Sequence, residues 1–248
     1  MRPLIAGNWK MNLLHADAVA LASGLSERRS AEGDPGCDIL VCPPYISIPP
    51  VASAVSGEAV SLGAQDCHAG DFGAHTGDVN CAMLKDAGCD YVIVGHSERR
   101  ADHGESDEIV CAKAAAVIAA GMTAIVCIGE KLDEREAEKT LERVAAQIAG
   151  SVPEGATADN LVIAYEPVWA IGTGLTPTVD QIAEVHAEIR ARLASCAGNA
   201  DGVRILYGGS MNPGNAAEIL AVDNVNGGLV GGASLKLDDF WSVCSAAS

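Results

Sequence analysis

The chain has 248 residues, with 33 acidic against 16 basic side chains and a formal net charge of −17 at pH 7. That balance excludes a general nucleic-acid partner or an anionic membrane surface, both of which need a basic face. The length exceeds an average domain but suits one α/β barrel, and the chain reads as a single domain over residues 1–248.

Taken in order, the chain alternates short apolar runs with helical patterns. The N-terminus, Met1-Arg2-Pro3-Leu4-Ile5-Ala6, carries no long apolar leader, so no signal peptide is expected and the cytoplasm is the expected compartment. Strand-type runs follow at 4–6, 39–42, 60–63, 91–94, 124–128, 161–165, 203–207 and 228–230. They lack strict alternation, which suits strands buried on both faces of a parallel sheet. Helices are expected at 46–55, 79–87 and 107–120, the last capped by Ser106 and stopped by Gly121. Another spans 133–149, with Leu141, Val144, Ala145 and Ile148 on one stripe and a charged, solvated opposite face. Thr178 and Gln181 form a capping box before Ile182, Val185, Ile189 and Leu193, and shorter helices are expected at 213–220 and 234–246. Eight βα units without a break in composition point to a single (β/α)8 barrel. An open doubly wound sheet is the alternative, weakened because no G-x-G-x-x-G follows the first strand.

Nine cysteines, an odd number with no C-x-x-C, read as buried reduced thiols. No Cys/His group has the spacing of a metal site, so no metal is expected. No apolar run reaches the roughly 18–20 residues of a membrane span.

In a parallel barrel the functional residues sit at the C-terminal ends of the strands and in the loops that follow. That rule gathers Asn8 and Lys10 after strand one, His96, Ser97 and Glu98 after strand four, and Cys127 and Glu130 around the end of strand five. Glu166 follows strand six, Gly208-Gly209-Ser210 strand seven, and Gly231-Gly232 strand eight. Glu166 reads either as a catalytic base with its own lid or as a strand-end carboxylate paired with a cation. Lys10 is either a surface lysine or a cation that stabilises an oxyanion. His96 precedes a short helix whose N-terminus disfavours the imidazolium, leaving a neutral ring able to donate to a carbonyl oxygen. The two glycine loops are tight turns or, together, a backbone cradle for a phosphate. His15, His68, His75, His103 and His186 have no comparable setting, and His186, in a long helix, is expected to be partly buried or exposed without a role.

Six motifs then carry a resemblance. Asn8-Trp9-Lys10-Met11-Asn12, Gly95-His96-Ser97-Glu98-Arg99-Arg100, Cys127-Ile128-Gly129-Glu130, Tyr165-Glu166-Pro167-Val168-Trp169-Ala170-Ile171-Gly172-Thr173-Gly174, Tyr207-Gly208-Gly209-Ser210 and Val230-Gly231-Gly232-Ala233-Ser234-Leu235 resemble the triosephosphate isomerase family, in its order, from residue 3 to about 241. The resemblance implies the TIM-barrel fold and a cofactor-free interconversion of dihydroxyacetone phosphate and D-glyceraldehyde 3-phosphate. It implies Glu166 as general base, His96 as neutral electrophile, and Lys10 with Asn8 facing phosphate and enediolate. Gly172, Ser210, Gly231 and Gly232 match the phosphate grip, and Glu98, Cys127 and Glu130 match residues that support the catalytic ones. The substrate is a small phosphorylated triose, and the partner is a second copy of the chain, with Thr76 at the tip of an inserted loop. Another phosphate-binding barrel, or a non-catalytic binding protein on the same fold, are the competing expectations. The chain departs from the family at Asp66, where Asn is usual, at His75 and Asp78, at Leu13, where Gly is usual, and at Asn226, where Asp is common. Leu175 and Pro177 alter the second hinge of the lid. Pro167 and Pro177 each fix φ, so lid motion is expected in residues 168–176.

Overall fold

A computed structural model describes residues 1–55, 57, 60–171 and 175–247. The strands are β1 Leu4–Asn8, β2 Asp38–Cys42, β3 Val60–Ala64, β4 Tyr91–Val94, β5 Thr123–Ile128, β6 Leu161–Tyr165, β7 Arg204–Tyr207 and β8 Gly227–Val230. They are parallel and pair in sequence order, and β8 returns to β1 with Leu4 opposite Gly227 and Gly7 opposite Val230. The (β/α)8 barrel is therefore closed and the open-sheet alternative falls. At the seam only glycine fits position 227. Its φ is +138°, and a Cβ there would lie 1.9 Å from the Leu4 carbonyl oxygen.

Successive side chains of a strand point to opposite faces, and the core divides accordingly. Leu4, Ala6, Leu40, Cys42, Ile125 and Leu206 belong to a cluster inside the barrel, while Ile5, Ile39, Val41, Val126 and Ile205 join the layer between strands and helices. Burial on both sides is why the strands read as continuous apolar runs.

The helices are α1 His15–Glu32, α2 Ile48–Val55, α3 Cys81–Asp86, α4 Ser97–Asp102, α5 Asp107–Ala119, α6 Leu132–Glu136, α7 Thr140–Ser151, α8 Val179–Leu193, α9 Ala216–Leu220 and α10 Leu237–Ser245. The capping box of Thr178 and Gln181 is formed, and Ser106 accepts the Ile109 N–H. Three expectations need correction. The helix expected at 133–149 is two, because Glu138 takes a left-handed φ of +58° and turns the chain between α6 and α7. The last helix begins at Leu237 rather than 234, after a single 3-10 turn over Gly232–Leu235. His186 is fully buried. Its Nδ1 lies 3.1 Å from the Asn224 carbonyl oxygen, and burial lowers its pKa to about 4.

The departures from the family pattern have visible consequences. Leu13 sits at φ +71°, a left-handed conformation that costs a non-glycine residue about 1 kcal/mol. Asn226 accepts from Arg190 Nη2 at 2.8 Å and from the Ile205 N–H at 3.0 Å. Asp66 joins a buried charge network: Lys113 Nζ lies 2.7 Å from Asp66 and 2.6 Å from Glu105, and Arg99 reaches the same two carboxylates at 2.8 and 2.6 Å. Burial pushes the Asp66 carboxyl up, and the Lys113 hydrogen bond opposes it. All nine cysteines are free thiols; Cys67 and Cys244 are among the seven that are buried, while Cys111 and Cys196 are half-buried. Among the described residues no helix is long and apolar enough to cross a membrane.

Candidate active site

The C-terminal rim brings most of the expected residues together. Asn8, Lys10, His96, Ser210, Gly231 and Gly232 all line one cavity of about 440 Å³. Gly172 lies outside the described residues. Thr76 is exposed, on the loop between β3 and α3.

Lys10 follows β1 in a left-handed conformation, φ +51°. A non-glycine residue there is strained, and the strain persists only because neighbours determine the turn. The Lys10 N–H donates to Asn8 Oδ1 at 3.1 Å, and Gln65 Nε2 donates to the Lys10 carbonyl at 2.9 Å. The ammonium group then reaches Glu98 Oε1 at 2.5 Å. Glu98 is therefore the ion-pair partner of Lys10, and its other oxygen lies 3.5 Å from His96 Nδ1.

His96 caps α4. Its Nδ1 accepts the Glu98 backbone N–H at 3.3 Å, so the ring proton of the neutral form sits on Nε2. That Nε2 meets Glu166 Oε1 at 3.0 Å. Burial pulls the His96 pKa down, but the Glu166 carboxylate outweighs it here and the net shift is upward. Glu98 adds a smaller upward pull; once the Glu166 carboxylate moves away, burial and the Lys10 charge favour the neutral ring.

Glu166 ends β6 and is buried. Its two oxygens accept from Ser97 Oγ at 2.9 Å and Ser97 N–H at 3.0 Å, besides the His96 contact. Burial alone would raise its pKa, yet these donors hold it below the ordinary value. In this position Glu166 lines a second cavity of about 360 Å³, behind the rim, together with Ser97, Arg100, Cys127, Gly129 and Val168. It does not line the rim cavity itself, and touches it through His96. Space behind it is tight: a Cβ on Gly208 would meet Glu166 Cγ at 2.9 Å and the Tyr165 carbonyl oxygen at 3.0 Å. Gly208→Ala is therefore expected to displace the carboxylate and cut kcat on the order of tenfold or more, since small misplacements of a reacting group are costly. Steady-state kinetics on the variant check this; an unchanged kcat would show that Glu166 does not need that position.

The supporting residues are equally fixed. Cys127 is buried with its thiol on Glu166, and burial holds it protonated. Glu130 is buried and accepts from Tyr165 Oη at 3.2 Å and Trp169 Nε1 at 2.9 Å, tying the segment after β6 to the barrel. Ser210 Oγ donates to the Ala170 carbonyl at 3.3 Å, a second link from that segment to the rim. Two contributors escaped the sequence reading. Ser97, noted only for its place, holds Glu166 with both its N–H and its hydroxyl. Gln65 holds the strained Lys10 turn; its place directly after β3 obeys the same strand-end rule that selected the others.

Comparison with known proteins agrees with this geometry. A family model described as triosephosphate isomerase matches residues 3–247. The triosephosphate isomerase of Afipia carboxidovorans is 56% identical over 252 residues, covering 99% of this chain and 98% of that protein. That of a Ruegeria species is 56% identical over 249 residues, covering 99% and 98%. A crystal structure of triosephosphate isomerase from Bartonella henselae superposes with a TM-score of 0.91 at 43% identity, covering 99% of each chain.

Proposed function

The chain belongs to the triosephosphate isomerase family, and on that premise we propose how its residues divide the work of the reaction it catalyses, the interconversion of dihydroxyacetone phosphate and D-glyceraldehyde 3-phosphate. The backbone N–H groups around Ser210, Gly231 and Gly232, with Gly172 from the lid, hold the phosphate dianion where no Cβ obstructs its approach. Glu166 leaves Ser97 and swings over the substrate. It removes a proton from the carbon beside the carbonyl, and the electron pair moves onto the carbonyl oxygen to give an enediolate. His96 donates its Nε2 proton towards that oxygen, and the Lys10 ammonium, set by Asn8, stabilises the growing negative charge. His96 then passes its Nε2 proton to that oxygen and takes back the hydroxyl proton from the adjacent one, and Glu166 returns its proton to the former carbonyl carbon, so that the carbonyl re-forms on the neighbouring carbon. Closing the lid excludes water, which strengthens each of these interactions. Glu98, Cys127 and Glu130 act through the residues they touch.

The single observation that carries these assignments is the convergence of Asn8, Lys10, His96, Ser210, Gly231 and Gly232 on one cavity, with Glu166 parked against His96 at its edge. A coupled assay with dihydroxyacetone phosphate tests the set. Turnover in the wild type with loss in Glu166, His96 and Lys10 variants is expected; a His96→Gln or Lys10→Met enzyme of unaltered kcat/KM would remove that residue from the mechanism.

We further propose that residues 1–248 form one domain, that the protein works in the cytoplasm, and that it pairs with a second copy of itself. The pairing is supported by Met11, Leu14, Ile46, Phe72 and Met83, large apolar side chains exposed on one chain, and by Thr76 on the loop that carries Phe72. Light scattering is expected to give at least twice the chain mass of 25.3 kDa; a monomer mass would refute the pairing.

A further inference from the structure

Arg100 lies on α4, one turn past His96, and its guanidinium reaches two strand ends at once. The ladder between β4 and β5 ends with Val94 opposite Val126. The carbonyls of the residues that follow, Gly95 and Cys127, are both taken by Arg100: Nε donates to Gly95 at 2.8 Å and Nη2 to Cys127 at 3.1 Å. We propose that Arg100 is a positioning residue for the isomerisation, a clamp that sets the end of β4, with His96 and Ser97, at its working distance from the end of β5 and Glu166. This rests on the division of labour set out above and extends it to a side chain behind the reacting groups.

Each arm of the clamp leads to a reacting group. Gly95 takes a left-handed φ of +67° and directly precedes His96, so its carbonyl fixes the turn that aims the imidazole. The turn is packed tight: a Cβ on Gly95 would lie 2.6 Å from Val110 Cγ2 and 3.1 Å from Arg100 Nη2. Cys127 carries the thiol that lies on Glu166. The helix that bears Arg100 opens with Ser97, whose N–H and hydroxyl hold the two oxygens of Glu166. The clamp therefore spans the His96–Glu166 contact of 3.0 Å as well as the two Ser97 bonds. Loosening it lets two strand ends shift against each other, and a displacement of about an ångström can cost a reacting group on the order of a hundredfold in rate.

The far side of the guanidinium is anchored, which makes the clamp rigid. Nη1 donates to Asp107 Oδ1 at 2.6 Å, at the start of α5, and Nη2 to Ser151 Oγ at 3.2 Å, at the end of α7. The Ser151 hydroxyl in turn donates to the same Asp107 oxygen at 3.2 Å. Four acceptors on four segments call for a planar fork whose N–H groups point in several fixed directions. A lysine ammonium is one compact charge on a flexible stem and cannot bridge Gly95 and Cys127 while holding Asp107. The Arg100 side chain is 13% exposed and borders the cavity of about 360 Å³ behind Glu166, so small solutes can reach its place.

The test is steady-state kinetics on Arg100→Lys and Arg100→Ala, with His96→Gln run beside them and circular dichroism to confirm folding. In Arg100→Lys, kcat is expected to fall on the order of tenfold or more while KM stays within about twofold, because the glycine loops that grip the phosphate are untouched. Arg100→Ala is expected to lose more. Guanidinium chloride, far below denaturing concentration, should then restore part of its kcat, and sodium chloride at equal ionic strength should not. If Arg100→Ala does not fold, Arg100→Lys, which keeps a cation beside Asp107, decides alone. An Arg100→Lys kcat near wild type, together with a loss in His96→Gln, overturns the clamp and leaves the division of labour standing. Full activity in His96→Gln overturns both. A rise in KM with kcat unchanged, or a folded Arg100→Ala that guanidinium does not restore, also overturns the clamp.

Discussion

Glu166→Asp is expected to lower kcat on the order of a hundredfold while leaving the fold intact, because the carboxylate retreats by about an ångström from the carbon it must deprotonate. The side chain is buried between Ser97, His96 and Gly208, so its reach is set by its length rather than by free rotation in solvent. The shorter acid can still accept one Ser97 hydrogen bond, so the parked state survives; the loss falls on the swung state. Since phosphate binding rests on the glycine loops, KM is expected to change far less than kcat. Rates near wild type would place the base elsewhere. A KM effect with kcat unchanged would make Glu166 a binding residue.

Lys113→Met is expected to destabilise the protein by about 3–5 kcal/mol, the cost of breaking a buried ion pair from one side. Lys113 sits between Asp66 and Glu105, both buried, and its removal leaves two carboxylates to share Arg99. At about 2–4 °C per kcal/mol for a chain of this size, Tm should fall by roughly 10 °C. Adding Asp66→Asn should recover part of the loss, because the neutral amide removes one of the stranded charges. Thermal scans at one fixed protein concentration check both, since any self-association would also move Tm. A loss below about 1 kcal/mol would mean that solvent reaches and screens the network, as it does for exposed pairs.

The legible and the hidden parts of this molecule differ for physical reasons. The strands were legible because burial on both faces leaves almost nothing polar in them, and 91–94 and 161–165 were placed to the residue. The rim residues were legible because strand ends are fixed in sequence by the strands themselves. Helix α1 was not. His15–Glu32 mixes Ala, Ser and charged residues, buries only five side chains, and starts at Leu14, which supplies no capping oxygen. The break between α6 and α7 was hidden because Glu138 adopts a left-handed conformation without the usual Gly or Asn. The parking of Glu166 against Ser97, the strain at Lys10 and the clamp of Arg100 on Gly95 and Cys127 are three-dimensional facts with no local signature. The lid's centre, residues 172–174, lies outside the described residues, so the expected motion of 168–176 stands as an expectation. Relaxation dispersion on Pro177→Ala addresses it, a changed opening rate being the expected result.

The seam at Gly227 has a consequence for how the protein is made. Strand β8 is the last to leave the ribosome, and it pairs with β1, the strand farthest from it in sequence. Until it emerges, the nascent chain is a curved sheet with two open edges, β1 and β7, each a template for stray strand pairing. Behind β8 follow a 3-10 turn and α10, whose Phe240 closes over Gly7 and whose Trp241 reaches back to Glu32. A ribosome stalled or truncated before residue 227 therefore releases an aggregation-prone ribbon. One that finishes releases a ring with no strand edge left to offer.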